Sequence, residues 1–325
     1  MWLKHSKCTT MKDIRHTKLV CIKNMRTSGK CLQRTSSGLV CATIWWIQLT
    51  ASAFSGVDES TLHRLAQASS LSYLDINKMT SSSYLKTSKL EPIAQVIDAE
   101  SQSGATIFRE SDDTDSGKHK LVVACRGSAN LKNFATNLKF NLVPATQLSQ
   151  ANSPIYPPRS VPKNAMVHEG FQAASVGLWR ELSIPLKEHL DSSTTEIIYT
   201  GHSLGAATAL LCATHFNTSS KEGPTLSIVT FGGPRLCNSA LASYLRDEAL
   251  LGCEILHLVH SKDPVLANNK RLWDSLGFEN VGTELECDPH SPSVYSVVEN
   301  APKFPSVFGN FALNVVDHCN YMVSC

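Results

Sequence analysis

Several things are missing from this chain of 325 residues. It has no Cys-x-x-Cys pair, so cysteine spacing marks no metal framework. Nothing repeats internally and no low-complexity tract is long. Its longest apolar run is about a dozen residues, short of the ~20 that span a bilayer. Basic residues are scarce where a nucleic-acid surface would need them. Residues 1–53 hold nine Lys and Arg against the single acid Asp13, leaving 21 basic and 27 acidic residues in the rest. Phosphate binding needs clustered positive charge, so the net +2 of the whole chain does not point to nucleic acid.

What is present begins with the leader. A basic stretch precedes the apolar run Leu39–Leu49, followed by Ala51-Ser52-Ala53. This order reads as a signal peptide cleaved near Ala53. Met25 is a possible alternative start that would give the leader an ordinary length. An uncleaved membrane anchor and an organelle transit peptide are the competing readings. Residues 54–325 are expected to form a single domain, secreted into an oxidising compartment. The seven cysteines beyond the leader fit that compartment. Cys125 and Cys212 fall in strand and helix patterns and are expected as buried free thiols. Cys237, Cys253, Cys287, Cys319 and Cys325 sit nearer loops and are available for two disulfides. Asn217-Thr218-Ser219 is a glycosylation sequon, consistent with export.

Apolar spacing over Val57–Leu74 predicts a helix. Ile93–Asp98, Ala105–Phe108 and Leu121–Cys125 read as strands, the last two joined by a hairpin over Ser111–Gly117. Phe171–Leu190 reads as a helix with Pro185 marking a kink or break. Strand and helix then alternate: Glu196–Thr200, an Ala/Leu-rich helix, Leu226–Phe231, a helix over Ser239–Leu250, Glu254–His260, and a last helix around Phe311–Tyr321. This alternation predicts an α/β fold with a mostly parallel central sheet and helices on both faces. Reactive groups in such sheets gather beyond the carboxyl ends of the strands.

Gly201-His202-Ser203-Leu204-Gly205 sits where a strand pattern gives way to a helix. That is the setting in which a G-x-S-x-G pentapeptide acts as a nucleophile elbow. Ser203 is the expected nucleophile, with Gly201 and Gly205 keeping side chains out of a tight crossing. A serine hydroxyl needs a base, and the base needs an orienting acid. Asp263 follows a strand and precedes Pro264, so it is the expected acid. A turn aspartate before proline is the plain alternative. His318, the last histidine, is the expected base; His257, His260 and His290 are rivals. The oxyanion donors are expected from the amide of Leu204 and from Ser128, in the turn after Cys125-Arg126-Gly127. No metal or organic cofactor is needed.

These pieces resemble the class 3 lipases of the fungal type, within the α/β-hydrolases. The resemblance is carried by Arg126-Gly127-Ser128, Val167-His168-Glu169-Gly170-Phe171, the 201–205 pentapeptide, Thr230-Phe231-Gly232-Gly233-Pro234-Arg235, Asp263-Pro264-Val265 and Asp317-His318-Cys319-Asn320-Tyr321. It spans roughly residues 57–325. It implies Ser203, Asp263 and His318 as catalytic residues, Ser128 and Leu204 as the oxyanion hole, and His168 and His202 as support. It also implies a short helical lid at about 129–143, whose apolar stripe includes Leu131, Phe134 and Leu138. A surface helix packed on the core is the plain alternative for that stripe. Two departures bear on substrate choice: Leu266-Ala267-Asn268 follows Pro264-Val265, and Cys237 precedes Asn238 where many relatives have Gly.

The implied activity is hydrolysis of carboxylic esters through an acyl-enzyme, with acylglycerols at a lipid–water interface as expected substrates. Phospholipid, galactolipid and feruloyl-type esters are alternatives. So is a silent lipid-binding or membrane-anchored protein that keeps the fold. No obligate protein partner is implied.

Overall fold

The structure is a computed structural model that describes residues 58–79, 85, 89–111, 116–127, 141–150, 161–216, 223–260, 263 and 270–287. All of them belong to one unit, Gly56–Cys325. Its first helix, α1 (Glu59–Leu71), starts at Asp58, whose carboxylate accepts from the Thr61 amide at 2.7 Å. That bond satisfies a first-turn N–H and pulls the Asp58 pKa down. The helix buries Leu65, Ala66, Ala68, Ser69 and Leu71. Arg64 pairs with the buried Glu110 at 2.7 Å and fastens it to the sheet.

Strands β1 (Leu90–Ile97), β2 (Gly104–Ser111) and β3 (His119–Arg126) form an antiparallel flank. The expected hairpin between β2 and β3 is there, with Ser111 opposite His119. β1 is the outermost described strand on this side, and its register shifts between Pro92 and Ala94. Proline cannot donate to a ladder, so an edge is where a strand tolerates it. Next come β4 (Leu142–Pro144) and β5 (Met166–His168), paired as a small separate ribbon.

Helix α2 (Glu169–His189) runs through Pro185 without ending, so of the expected kink or break there is no break. Leu182 and Leu186 are both fully buried and hold the chain against the core on either side of the proline. Strand β6 (Thr194–His202), helix α3 (Leu204–His215), strand β7 (Thr225–Phe231), helix α4 (Ser239–Tyr244), strand β8 (Glu254–His260), helix α5 (Lys270–Ser275) and strand β9 (Thr283–Cys287) follow, and two short helices, Ile76–Met79 and Thr146–Gln150, lie earlier in the chain. The helix expected over Ser239–Leu250 is α4 followed by a π turn, Leu245–Ala249, in which the Leu250 amide donates to the Leu245 carbonyl at 2.8 Å.

The seven strands lie in the order β1-β2-β3-β6-β7-β8-β9, with every pairing from β3 to β9 parallel. Ile197 and Tyr199 point to one face, into a cluster with Trp179, Leu182, Leu210 and Leu211 from α2 and α3. Alternate residues of the same strand face α1, where Thr200 meets Ser69. Side-chain period two thus places helices on both faces, as expected. Each fully buried Leu or Phe contributes about 1.5–3 kcal/mol of transfer free energy. Cys125 and Cys212 are buried free thiols, as expected. Cys237, expected near a loop and available for a bridge, is also a buried free thiol. It pairs with both Val167 and Glu279 through isolated backbone bridges, and burial pushes its pKa up to about 12.

Candidate active site

Strand β6 ends at His202 and α3 begins at Leu204, so Ser203 alone makes the turn. It does so at φ 58° and ψ −128°, a region that costs a non-glycine residue about 1–3 kcal/mol. Hydrogen bonds hold the turn from both sides. The Ser203 amide donates to the Phe231 carbonyl at 3.1 Å, and the Ser203 carbonyl accepts from the Ala206 amide at 3.0 Å. The neighbouring strand explains the two glycines. A Cβ on Gly205 would stand 2.2 Å from the Cys125 carbonyl oxygen, and one on Gly201 would stand 2.5 Å from the Gly205 carbonyl oxygen. The elbow and the end of β3 therefore pass each other backbone to backbone.

Leu204 opens α3, so its N–H belongs to the first turn, which has no intrahelical acceptor and carries the positive end of the helix dipole. Asp263 lies beyond the carboxyl end of β8 and is fully buried. A buried carboxylate is stable only when it is partnered, and Asp263 is. Ser203 and Asp263 thus follow the ends of β6 and β8, with β7 between them. His318, Ser128, the stripe Leu131, Phe134 and Leu138, and the sequon at Asn217 lie outside the described residues.

Among the rival bases, His257 is committed within the sheet. Its Nδ1 is bonded to the Thr230 hydroxyl and its Nε2 to the Val281 carbonyl. A carbonyl only accepts, so Nε2 carries the proton and Nδ1 accepts from Thr230. Neither nitrogen is left to take a proton from a serine, and burial lowers the pKa further. His290 lies outside the described residues.

The two histidines expected to support the site stand in different places. His168 caps α2: its Nδ1 accepts from the Phe171 amide at 3.4 Å, and its ring stacks on Phe171 at 4.0 Å. His202 is fully buried next to Ser203, and its Nδ1 lies 3.3 Å from the hydroxyl of Tyr73. Tyr73 had no place among the expected site residues. The available signal was its spacing, four residues after Ser69 on the face that α1 turns to the sheet. The departure at Cys237 is also explained, because its side chain packs in the core.

Comparisons with known proteins agree with this architecture. The family model described as "Lipase (class 3)" matches residues 122–268. A secreted mono- and diacylglycerol lipase of Fusarium solani is 28% identical over 157 residues, covering 47% of this chain and 40% of the relative. The phospholipase A1-II 1 of Oryza sativa subsp. indica is 31% identical over 189 residues, covering 53% of this chain and 44% of the relative. The matched stretch therefore spans less than half of either curated relative. The solved triacylglyceride lipase of Rhizomucor miehei superposes with a TM-score of 0.54 at 24% identity, covering 70% of this chain and 79% of that one. Residues 122–268 are thus similar to the class 3 lipases, and the described sheet and helices have the α/β-hydrolase fold of the solved fungal lipases.

Proposed function

We propose that this protein is a serine hydrolase of lipid carboxylic esters. Ser203 Oγ attacks the ester carbonyl while His318 removes its proton, and Asp263 orients and stabilises the imidazolium. The amides of Leu204 and Ser128 hold the oxyanion, the alcohol leaves with the proton from His318, and water repeats the attack on the acyl-enzyme. The observation that carries this reading is the strained Ser203 turn at the head of α3, with a glycine crossing beneath it. A non-glycine residue is held at such a backbone conformation where the geometry has a use.

Ser203→Ala removes the attacking oxygen and little volume. Ester turnover by the purified protein is expected to drop at least about 1,000-fold, with unfolding behaviour unchanged. A fluorophosphonate probe should label the wild type at Ser203 and leave the variant unlabelled. Retained turnover in the variant rejects the assignment. Activity should also fall on acidification as the imidazole base takes a proton, and a pH–rate profile without that limb counts against a histidine base.

A phospholipase A1 reading is favoured by one observation, the 31% identity to the rice enzyme of that name. A panel of acylglycerols and phospholipids varied in headgroup and chain length decides between the two. We also read the basic, then apolar leader as an export signal. N-terminal sequencing of the mature protein is expected to begin near residue 54.

A further inference from the structure

We propose that Tyr73 is a positioning residue for this hydrolysis, its single hydroxyl clamping the backbone before the nucleophile to the backbone before the loop that follows β3. The inference rests on the reading that Ser203 attacks and that the amide following Gly127 serves as an oxyanion donor.

The clamp is the second of two rungs between α1 and β6. Ser69 and Tyr73 are four residues apart in and just past α1; Thr200 and His202 are two apart and share one face of β6. Four helical residues advance about 6 Å and two strand residues about 6.6 Å, so the two pairs meet in step. The first rung joins Ser69 Oγ and Thr200 Oγ1 at 3.0 Å, with both residues fully buried. The second joins Tyr73 Oη and His202 Nδ1 at 3.3 Å, the ring centroids 6.5 Å apart and tilted by 55°. The turn at the end of α1 holds Tyr73 in place, its amide donating to the Ser70 carbonyl at 3.3 Å and that of Leu74 to Leu71 at 2.9 Å.

The same hydroxyl also meets the other half of the site. A Cβ on Gly127 would stand 2.3 Å from Tyr73 Oη and 2.7 Å from the His202 carbonyl oxygen. Tyr73 Oη therefore occupies the space where a side chain at Gly127 would go, while it bonds the side chain of His202. One of these residues directly precedes Ser203 and the other directly precedes the expected second donor. Parallel pairing of β3 with β6, with Cys125 opposite Gly201, brings the two backbones level at this point. Oxyanion stabilisation depends on donors held within a few tenths of an ångström of the developing charge. A hydroxyl shared by both halves fixes their separation.

The test is Tyr73→Phe in the full chain, which deletes one oxygen and keeps the ring. On a soluble ester, kcat is expected to fall about tenfold, equivalent to about 1.4 kcal/mol, with KM within about twofold. The melting temperature should stay in place. Deuterium uptake should rise in the peptides holding Gly127 and His202–Leu204 and nowhere else. His202→Asn should lower kcat similarly, and the double variant should be no worse than the poorer single one, because both cut the same link. An unchanged kcat overturns the inference. So does a loss that follows a lowered melting temperature with exchange raised throughout the molecule, or strictly multiplicative losses in the double variant. If Ser203→Ala keeps its turnover, the hydrolase reading fails separately. Exchange in the same two peptides then still decides whether Tyr73 clamps them.

Discussion

On one face of the central sheet, Ile197 and Tyr199 meet Trp179, Leu210 and Leu211 in a continuous apolar cluster. On the other, Thr200 and His202 meet Ser69 and Tyr73 through hydrogen bonds. The same strand supplies both sets by alternation. Apolar packing is non-directional and tolerates small shifts, so it supplies stability without fixing a serine to a fraction of an ångström. Hydrogen bonds between short side chains contribute less free energy but fix register. Ser203, the proposed nucleophile, sits at the end of the strand where these two surfaces meet.

The largest way to break this contrast is on the apolar face. Trp179→Ala is expected to lower the unfolding free energy by about 4 kcal/mol, read by urea denaturation, while turnover per folded molecule stays near wild type. Comparable loss of turnover in the folded variant would mean that the faces are not separable.

Acid sharpens the same comparison. His215 stacks on Trp179 with ring centroids 5.4 Å apart, and burial lowers its pKa from the ordinary 6.5 to about 4. The folded protein therefore holds the neutral ring, whereas the unfolded chain takes up a proton below about pH 6.5. The stabilisation is complete above that pH and is lost as pH falls toward 4, by at most on the order of 3 kcal/mol. Buried His257 adds to the loss in the same direction. Denaturation midpoints measured across this window should flatten in His215→Phe, which keeps an aromatic ring against Trp179. An unflattened profile would place the acid sensitivity elsewhere.

Changes on the polar face should be smaller in stability and larger in rate. Ser69→Ala removes one partner of the buried rung and is expected to cost about 1 kcal/mol in unfolding free energy. Its kcat should fall, but less than that of Tyr73→Phe, because the second rung remains. The smallest effect concerns reactivity. Burial raises the pKa values of Cys212 and Cys237, so neither should react with iodoacetamide until the protein is unfolded. Modification of either in the folded state, located by peptide mass mapping, would show that the core opens.

The elbow, the strand–helix alternation and the β2–β3 hairpin were legible because each depends on neighbours in sequence. Gly201, Ser203 and Gly205 lie within five residues, and the steric demand between them and Cys125 is written as two absent side chains. The burial of Asp263 beyond β8 agrees with its place in the sequence between a strand pattern and Pro264. What was not legible depends on distant parts of the chain. Ser69 breaks the apolar stripe of α1 yet is buried, because it meets the Thr200 hydroxyl rather than hydrocarbon. β9 carries glutamates at alternate positions and lacks the apolar run that marks a strand; pairing with β8 makes it one. Pro185 signals a kink or break, and packing of Leu182 and Leu186 overrides the break. Cys237 looked like a loop residue because its two backbone partners, Val167 and Glu279, are 70 and 42 positions away.

Pro92 has a consequence for how copies of this protein behave in company. A bare sheet rim invites another chain to add its own strand, which is how folded proteins begin to polymerise. Pro92 brings no N–H to β1, and the register with β2 shifts immediately after it. An incoming strand could dock over only part of that rim before losing step, which guards against self-association.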